Sequence, residues 1–220
     1  MLSVENHGDV AVVKLDDGKA NVVSEAFSQA INEGLDAAEK TAAAVVLVGR
    51  PGRFCAGFDL SVIRDGTPEG AAAMRTAGAR AMHRLFLHPQ PVVIACSGHA
   101  VAAGALILLT GDTRIGMRGK FTIGLNETAI GLALPVWGLE LAKARMPVPQ
   151  LTRNVIQAQL HDPDSAVEAG YLDQVVEPDA LMPTAIEKAG ELAKLDGTAY
   201  GEVKRRLRGQ AAQIMLDSIS

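Results

Sequence analysis

Phe54-Cys55-Ala56-Gly57-Phe58-Asp59-Leu60 follows Val45-Val46-Leu47-Val48, whose high β-propensity predicts a short buried strand, and Gly49-Arg50-Pro51-Gly52, which carries turn chemistry. The stretch is therefore expected as a loop at a strand's C-terminal end. Gly57 permits a backbone conformation that other residues resist, and Asp59 can cap the turn that follows. Both leave the Phe58 N–H free to point at a ligand, as an oxyanion-binding loop requires. That is one donor, and an oxyanion hole usually has two.

A second loop can supply the other. Ser97-Gly98-His99-Ala100-Val101-Ala102-Ala103-Gly104-Ala105 follows an apolar strand, Val92 to Ala95, and leads into the helical run Leu106 to Leu109. Small side chains let a substrate approach the backbone, and a helix N-terminus offers unpaired N–H groups with a dipole that favours developing negative charge. Taken singly, each loop is also an ordinary Gly/Ala-rich strand-to-helix turn, common in α/β proteins for packing reasons.

The rest of the chain alternates in the same way. Val10 to Leu15 reads as a strand, and Ser24 caps a helix whose Phe27, Ile31 and Leu35 repeat at i, i+4, i+8. Thr67-Pro68-Glu69 opens a helix that runs to Leu87 and stops at His88-Pro89. A helix reaching about Thr110, a strand from Arg114 to Met117 and a helix from Pro135 to just before Pro147 complete an α/β pattern.

Composition bounds the function. A chain of 220 residues, 48% hydrophobic and 21% charged, can bury a sizeable core as one compact unit. Net charge of −4 argues against a nucleic-acid partner, and Arg75, Arg80 and Arg84 are the only suggestive basic stripe. Cys55 and Cys96 make no disulfide framework, Met1 to Val10 has no signal-peptide pattern, and no apolar run reaches transmembrane length. A cytoplasmic location without a membrane partner is expected. The histidines lack paired ligand spacing, so no metal site is expected, and His99 reads as a packing or solvent contact. Ser97 has no nucleophile elbow around it, and Cys55 reads as a buried thiol.

Together and in this order, the two loops resemble those of the crotonase (enoyl-CoA hydratase/isomerase) superfamily, roughly F-x-A-G-x-D-[LI] and G-x-A-x-G-G-G. Ile123-Gly124-Leu125-Asn126-Glu127-Thr128-Ala129-Ile130-Gly131-Leu132 is similar to the family's F-G-x-P-E-x-x-x-G segment. Ser165 to Val176 resembles its A-x-x-x-G-L-V-[DT]-x-V block. The resemblance runs from about Val4 to Lys204 and implies an α/β fold, a spiral of ββα units with a short C-terminal helical region. Residues 1–180 would form the core and 181–220 a helical segment contacting a neighbouring subunit, in one structural domain. A homotrimer or dimer of trimers is implied.

The resemblance also implies an acyl-CoA thioester enzyme, with coenzyme A as part of the substrate and no covalently bound cofactor. Glu127 would be the acid/base, and the Phe58 and Ala103 N–H groups would form the oxyanion hole. Ala56, Gly57, Asp59, Leu60, Gly104, Leu106 and Leu132 would lie along the substrate. Arg53 and Lys204, the latter opening the basic run Lys204-Arg205-Arg206-Leu207-Arg208, would reach coenzyme A phosphates, although such a run is usually a solvated helix face.

Two departures shape the expectation. The family pattern has two glutamates, and Leu106 stands at the earlier position. Hydration benefits from two carboxylates, whereas moving a double bond from Δ3 to Δ2 needs one, so an isomerase is expected. A hydratase or hydrolase of the same fold, and an acyl-CoA binder with little catalysis, stay open. Dehalogenase-like relatives place an Asp nucleophile in the segment matching Gly131 to Gly138, which holds no carboxylate here. The second departure is that the chain ends soon after Lys204, implying a more open acyl end. Ile123, Leu125, Leu106 and Leu132 are apolar neighbours that would raise the Glu127 pKa, against the plain alternative of a solvated loop glutamate.

Overall fold

Strands made almost wholly of Val, Ile, Leu and Ala need both faces covered, and three such strands stand at the centre of a chain ordered into repeated ββα turns. In the computed structural model, which describes residues 2–219, β1 (Leu2–His7) and β2 (Val10–Leu15) form an antiparallel hairpin, followed by α1 (Glu25–Thr41). The next turn contains β3 (Ala44–Val48), β4 (Gly52–Cys55), α2 (Leu60–Asp65) and α3 (Pro68–Leu87). A third contains β5 (Val92–Cys96), β6 (Gly98–Val101) and α4 (Ala103–Thr110), and a fourth β7 (Thr113–Met117), β8 (Ile123–Gly124) and α5 (Val136–Arg145).

In these last three turns the first strand joins one sheet and the second joins another. The larger sheet has the order β1-β2-β3-β5-β7-β9, with β9 spanning Gln174–Val176, and is parallel from β2 onward. The smaller is the parallel set β4-β6-β8. Residues 52–55 and 98–101, expected as loop, are thus strands. Their Gly, Cys and Ala residues carry little β-propensity, and tertiary pairing makes the strand. Glycine is required there, because a Cβ on Gly98 would lie 2.1 Å from the Gly52 carbonyl carbon.

Local signals set the helix ends. Ser24 Oγ accepts the Phe27 N–H at 3.1 Å, and Thr67 Oγ1 accepts that of Gly70 at 3.1 Å ahead of Pro68. Phe27, Ile31 and Leu35 are buried against the sheet, each contributing roughly 1.5–3 kcal/mol of hydrophobic stabilisation. After α6 (Val148–Leu151) and α7 (Pro163–Glu168) comes α8 (Leu181–Leu192), which covers the opposite sheet face. There Leu181, Ala185 and Ala189 meet Val46, Val93 and Ile115. The last helix, α9 (Gly197–Asp217), packs on α3 and α5. Because β4 and β6 are parallel neighbours, the loops leaving their C-terminal ends emerge side by side.

Candidate active site

The first loop is pinned from below by residues 17–23. Asn21, fully buried and at φ 52°, donates from Nδ2 to the Leu15 carbonyl at 2.8 Å and to the Phe54 carbonyl at 3.3 Å. The Ala56 N–H donates to Ala20 at 3.2 Å, Val23 N–H to Gly57 at 2.8 Å, and Asp59 N–H to Val23 at 3.3 Å. The amides on either side are occupied, while the Phe58 N–H has no acceptor among the described residues. Asp59 caps α2, accepting the Ser61 N–H at 2.9 Å and its hydroxyl at 2.6 Å; that hydroxyl holds the carboxyl below its ordinary range.

The second loop turns on Ala102, at φ 52° and ψ −125°, a region costly for any side chain and typical of functional sites. The Ala105 and Leu106 N–H groups both return to the Ala102 carbonyl, at 2.9 and 3.1 Å, and the Ala103 N–H at the helix start has no acceptor among the described residues. Close packing joins the loops. A Cβ on Gly104 would lie 2.1 Å from the Cys55 oxygen, and one on Gly57 would lie 3.6 Å from the Ala103 nitrogen. The stretches that carry the Phe58 and Ala103 amides, neither with an acceptor among the described residues, thus pack side by side.

Beside them opens a cavity of about 410 Å³. Phe58 and Leu106 line it near the loops, with Leu132, Leu134 and Trp137 also in its wall; the Phe58 and Trp137 rings meet edge to face at 6.4 Å. Glu127 is the cavity's one carboxylate among the described residues. Burial pushes its pKa above the ordinary 4.5, and its Oε2 is buried without a hydrogen-bond partner. A solvated loop glutamate would show neither feature. A buried carboxylate with one oxygen unpartnered, an apolar cavity and two neighbouring N–H donors can together remove a proton next to a carbonyl and hold the charge that develops on its oxygen.

Comparison with known proteins shows the family. The enoyl-CoA hydratase/isomerase family model matches residues 5–217. The chain belongs to this family. It is 29% identical over 207 residues to the human mitochondrial enoyl-CoA delta isomerase 1, covering 92% of this chain and 68% of that protein. It is 30% identical over 213 residues to a putative enoyl-CoA hydratase of Thermus thermophilus, covering 94% of this chain and 83% of that one. The crystal structure of an enoyl-CoA hydratase/isomerase family protein from Pseudomonas syringae superposes with a TM-score of 0.96 at 38% identity, covering 99% of this chain and 94% of that chain. The crotonase resemblance and its α/β fold are thereby established.

Within this family fold the remaining expected residues separate. Ala56 and Gly57 lie in the first loop, Gly104 is in the first turn of α4, Leu106 and Leu132 line the cavity, and Leu60 is exposed at the start of α2. Arg53 is exposed on β4, beside His99 of β6. His99 Nδ1 accepts the Thr122 N–H at 3.0 Å, and its ring meets Phe121 edge to face. Burial pushes the Cys55 and Cys96 thiols up to about 12.

Lys204 requires correction. It is only 5% exposed, and its Nζ donates to Asp112 at 2.6 Å and to the His88 and Gln90 carbonyls at 2.7 and 2.8 Å. Burial pulls its pKa down to about 8. The basic run is therefore two-sided: Lys204 and Arg208, one turn apart, face inward onto Asp112, while Arg205 and Arg206 pair with Glu202 outside. Lys204 ties α9 to the core rather than standing free for a phosphate. Arg84 is also engaged, by Asp36 at 2.6 Å and Glu39 at 3.1 Å.

Sequence reasoning missed Tyr171. Its hydroxyl accepts the Leu125 N–H at 3.1 Å, and the His161 and Ile123 backbones exchange two 2.9 Å hydrogen bonds just before it. Both contacts fix the strand end that carries Glu127. The available signal was a tyrosine where the family block has leucine. Among the described residues, no three His, Cys, Asp or Glu side chains are placed to hold a metal ion, and no helix is long and apolar enough to cross a membrane.

Proposed function

We propose that the protein is a Δ3-Δ2-enoyl-CoA isomerase. The ionised Glu127 takes a proton from C2 of a 3-enoyl thioester, and the C–H electron pair enters a dienolate whose negative charge rests on the thioester oxygen. The Phe58 and Ala103 N–H groups hold that oxygen, each such donor being worth roughly 10²- to 10³-fold in rate. Glu127 then returns the proton at C4, the double bond closes between C2 and C3, and the carboxylate is regenerated. No water is consumed.

The observation that carries this reading is the solitary Glu127 in a cavity where Leu106 occupies the place of the family's other glutamate. Relatedness to an enoyl-CoA delta isomerase supports it. Coenzyme A enters as part of the substrate. The exposed apolar side chains Val148, Ile156 and Leu207 are the faces that a homotrimer or dimer of trimers would cover.

The test is incubation with 3-enoyl-CoA and 2-enoyl-CoA esters in deuterated and in ¹⁸O-labelled water, for wild type and Glu127→Gln. Migration of the double bond without ¹⁸O, abolished by the substitution, is the expected result. Glu127-dependent ¹⁸O incorporation would instead mean hydration or hydrolysis, and tight thioester binding without turnover would mean a binding protein.

A further inference from the structure

One cation in the cavity has no part in the isomerisation. Four residues of α3 line the cavity, Ala72, Arg75, Thr76 and Ala79, at the spacing of one helix face. Gly78 abuts the Phe58 ring, since a Cβ there would lie 2.6 Å from Phe58 Cε1. Ala79 thus marks the reacting end, and Arg75 stands about one turn earlier, roughly 6 Å along the axis. Helical side chains lean toward the N-terminus, which carries the Arg75 guanidinium further from Phe58.

The opposite wall comes from α9. Arg208 donates to the Phe86 carbonyl and His83 hydrogen-bonds the Ala212 backbone, so α9 runs antiparallel to α3. The two residues that follow α9, Ser218 and Ile219, therefore arrive beside the turn that carries Arg75 and Thr76, and both line the cavity. This distal part of the cavity holds its only lining cation among the described residues. No described carboxylate pairs with Arg75, in contrast to Arg84, and Arg75 is not among the charges acting on Glu127.

An alkyl tail running from Phe58 along α3 would end against a guanidinium that must keep its water. A carboxylate at the same place would accept paired, charge-assisted hydrogen bonds. We propose that Arg75 selects acyl thioesters whose distal end carries a carboxylate, that is, ω-carboxyacyl-CoA esters. The inference rests on reading the cavity as an acyl-CoA site. Such a carboxylate is ionised at neutral pH, and because Arg75 is exposed its preference is modest, about fivefold, equivalent to ~1 kcal/mol.

The test is calorimetric binding of octanedioyl-CoA, octanoyl-CoA and free coenzyme A to wild type, Arg75→Leu and Arg75→Gln. Wild type is expected to bind the dicarboxylic ester about fivefold more tightly than octanoyl-CoA, less so at high salt, and both variants to lose that preference. An unchanged preference in the variants, or none in wild type, would overturn the proposal. Equal weakening of all three ligands would overturn it too, by assigning Arg75 to a coenzyme A phosphate. Saturated esters are not turned over, so selective binding that depends on Arg75 upholds the proposal even where 3-enoyl esters are not isomerised, an outcome that removes the isomerase reading alone.

Discussion

The Tyr171 hydroxyl accepts the Leu125 N–H at 3.1 Å, two residues ahead of Glu127, from a side chain with no solvent exposure. The base is thereby tied to the family's last block, through a group that the block's usual leucine lacks. Tyr171→Phe leaves that buried N–H without an acceptor, a loss of about 1–3 kcal/mol of stability in urea unfolding. Misplacing a base by a fraction of an ångström is also costly, so kcat on a 3-enoyl-CoA is expected to fall about tenfold or more with KM little changed. Lost stability with unchanged kcat would mean that Tyr171 supports the fold and not the base.

Ala102 holds φ 52° and ψ −125° between β6 and α4, in a place where the family pattern has glycine. Such a conformation costs about 1–3 kcal/mol for a residue with a Cβ. Glycine removes that cost but adds roughly 0.5–1 kcal/mol of chain entropy on folding. Ala102→Gly is therefore expected to raise stability by about 1 kcal/mol, read from the unfolding midpoint. A fall in stability would mean that the Ala102 methyl, packed toward Gly57, matters more than the strain.

How legible these features were depended on which force makes them. β3 and β5 stood out because Val45–Val48 and Val92–Cys96 are continuous apolar runs fit for a doubly covered sheet. The caps Ser24, Asp59 and Thr67 acted locally and were equally readable. β4 and β6 were not, because Gly98 and Gly52 pair through close backbone approach, which leaves no periodicity in sequence. The two loops and Glu127 were found through motif order. Lys204 misled because Arg205 and Arg206 beside it face outward onto Glu202, and a run of like charges hides which members turn inward. Arg75 was visible only as part of a stripe until α3 and α9 closed a cavity around it.

Lys204 should register as a stability residue. Its ammonium satisfies Asp112 and two carbonyls in a buried setting, and breaking such a pair from one side costs about 3–5 kcal/mol. Arg208 still reaches Asp112 at 2.8 Å, which places Lys204→Met near the lower figure. Urea unfolding reads this directly. A selective rise in KM for coenzyme A thioesters with unchanged stability would instead return Lys204 to the substrate.

Glu127 should show a conflict between activity and stability. It acts as a base only when ionised, and burial holds its pKa above 4.5, so kcat/KM is expected to fall on the acid side with a midpoint above that value. The same shift has a definite sign for folding. A carboxyl whose pKa is raised in the folded state contributes stability below its unfolded pKa and loses it as pH rises through the folded value. At neutral pH the wild type therefore carries a buried carboxylate whose Oε2 has no hydrogen-bond partner, a desolvation cost that Glu127→Gln does not bear. The variant is expected to lose about 10²- to 10⁴-fold in activity while unfolding at higher urea than wild type at pH 7. Its advantage should shrink as the pH falls toward 4, where wild-type Glu127 is protonated. An advantage independent of pH would mean that glutamine gains from new contacts and not from removal of the charge.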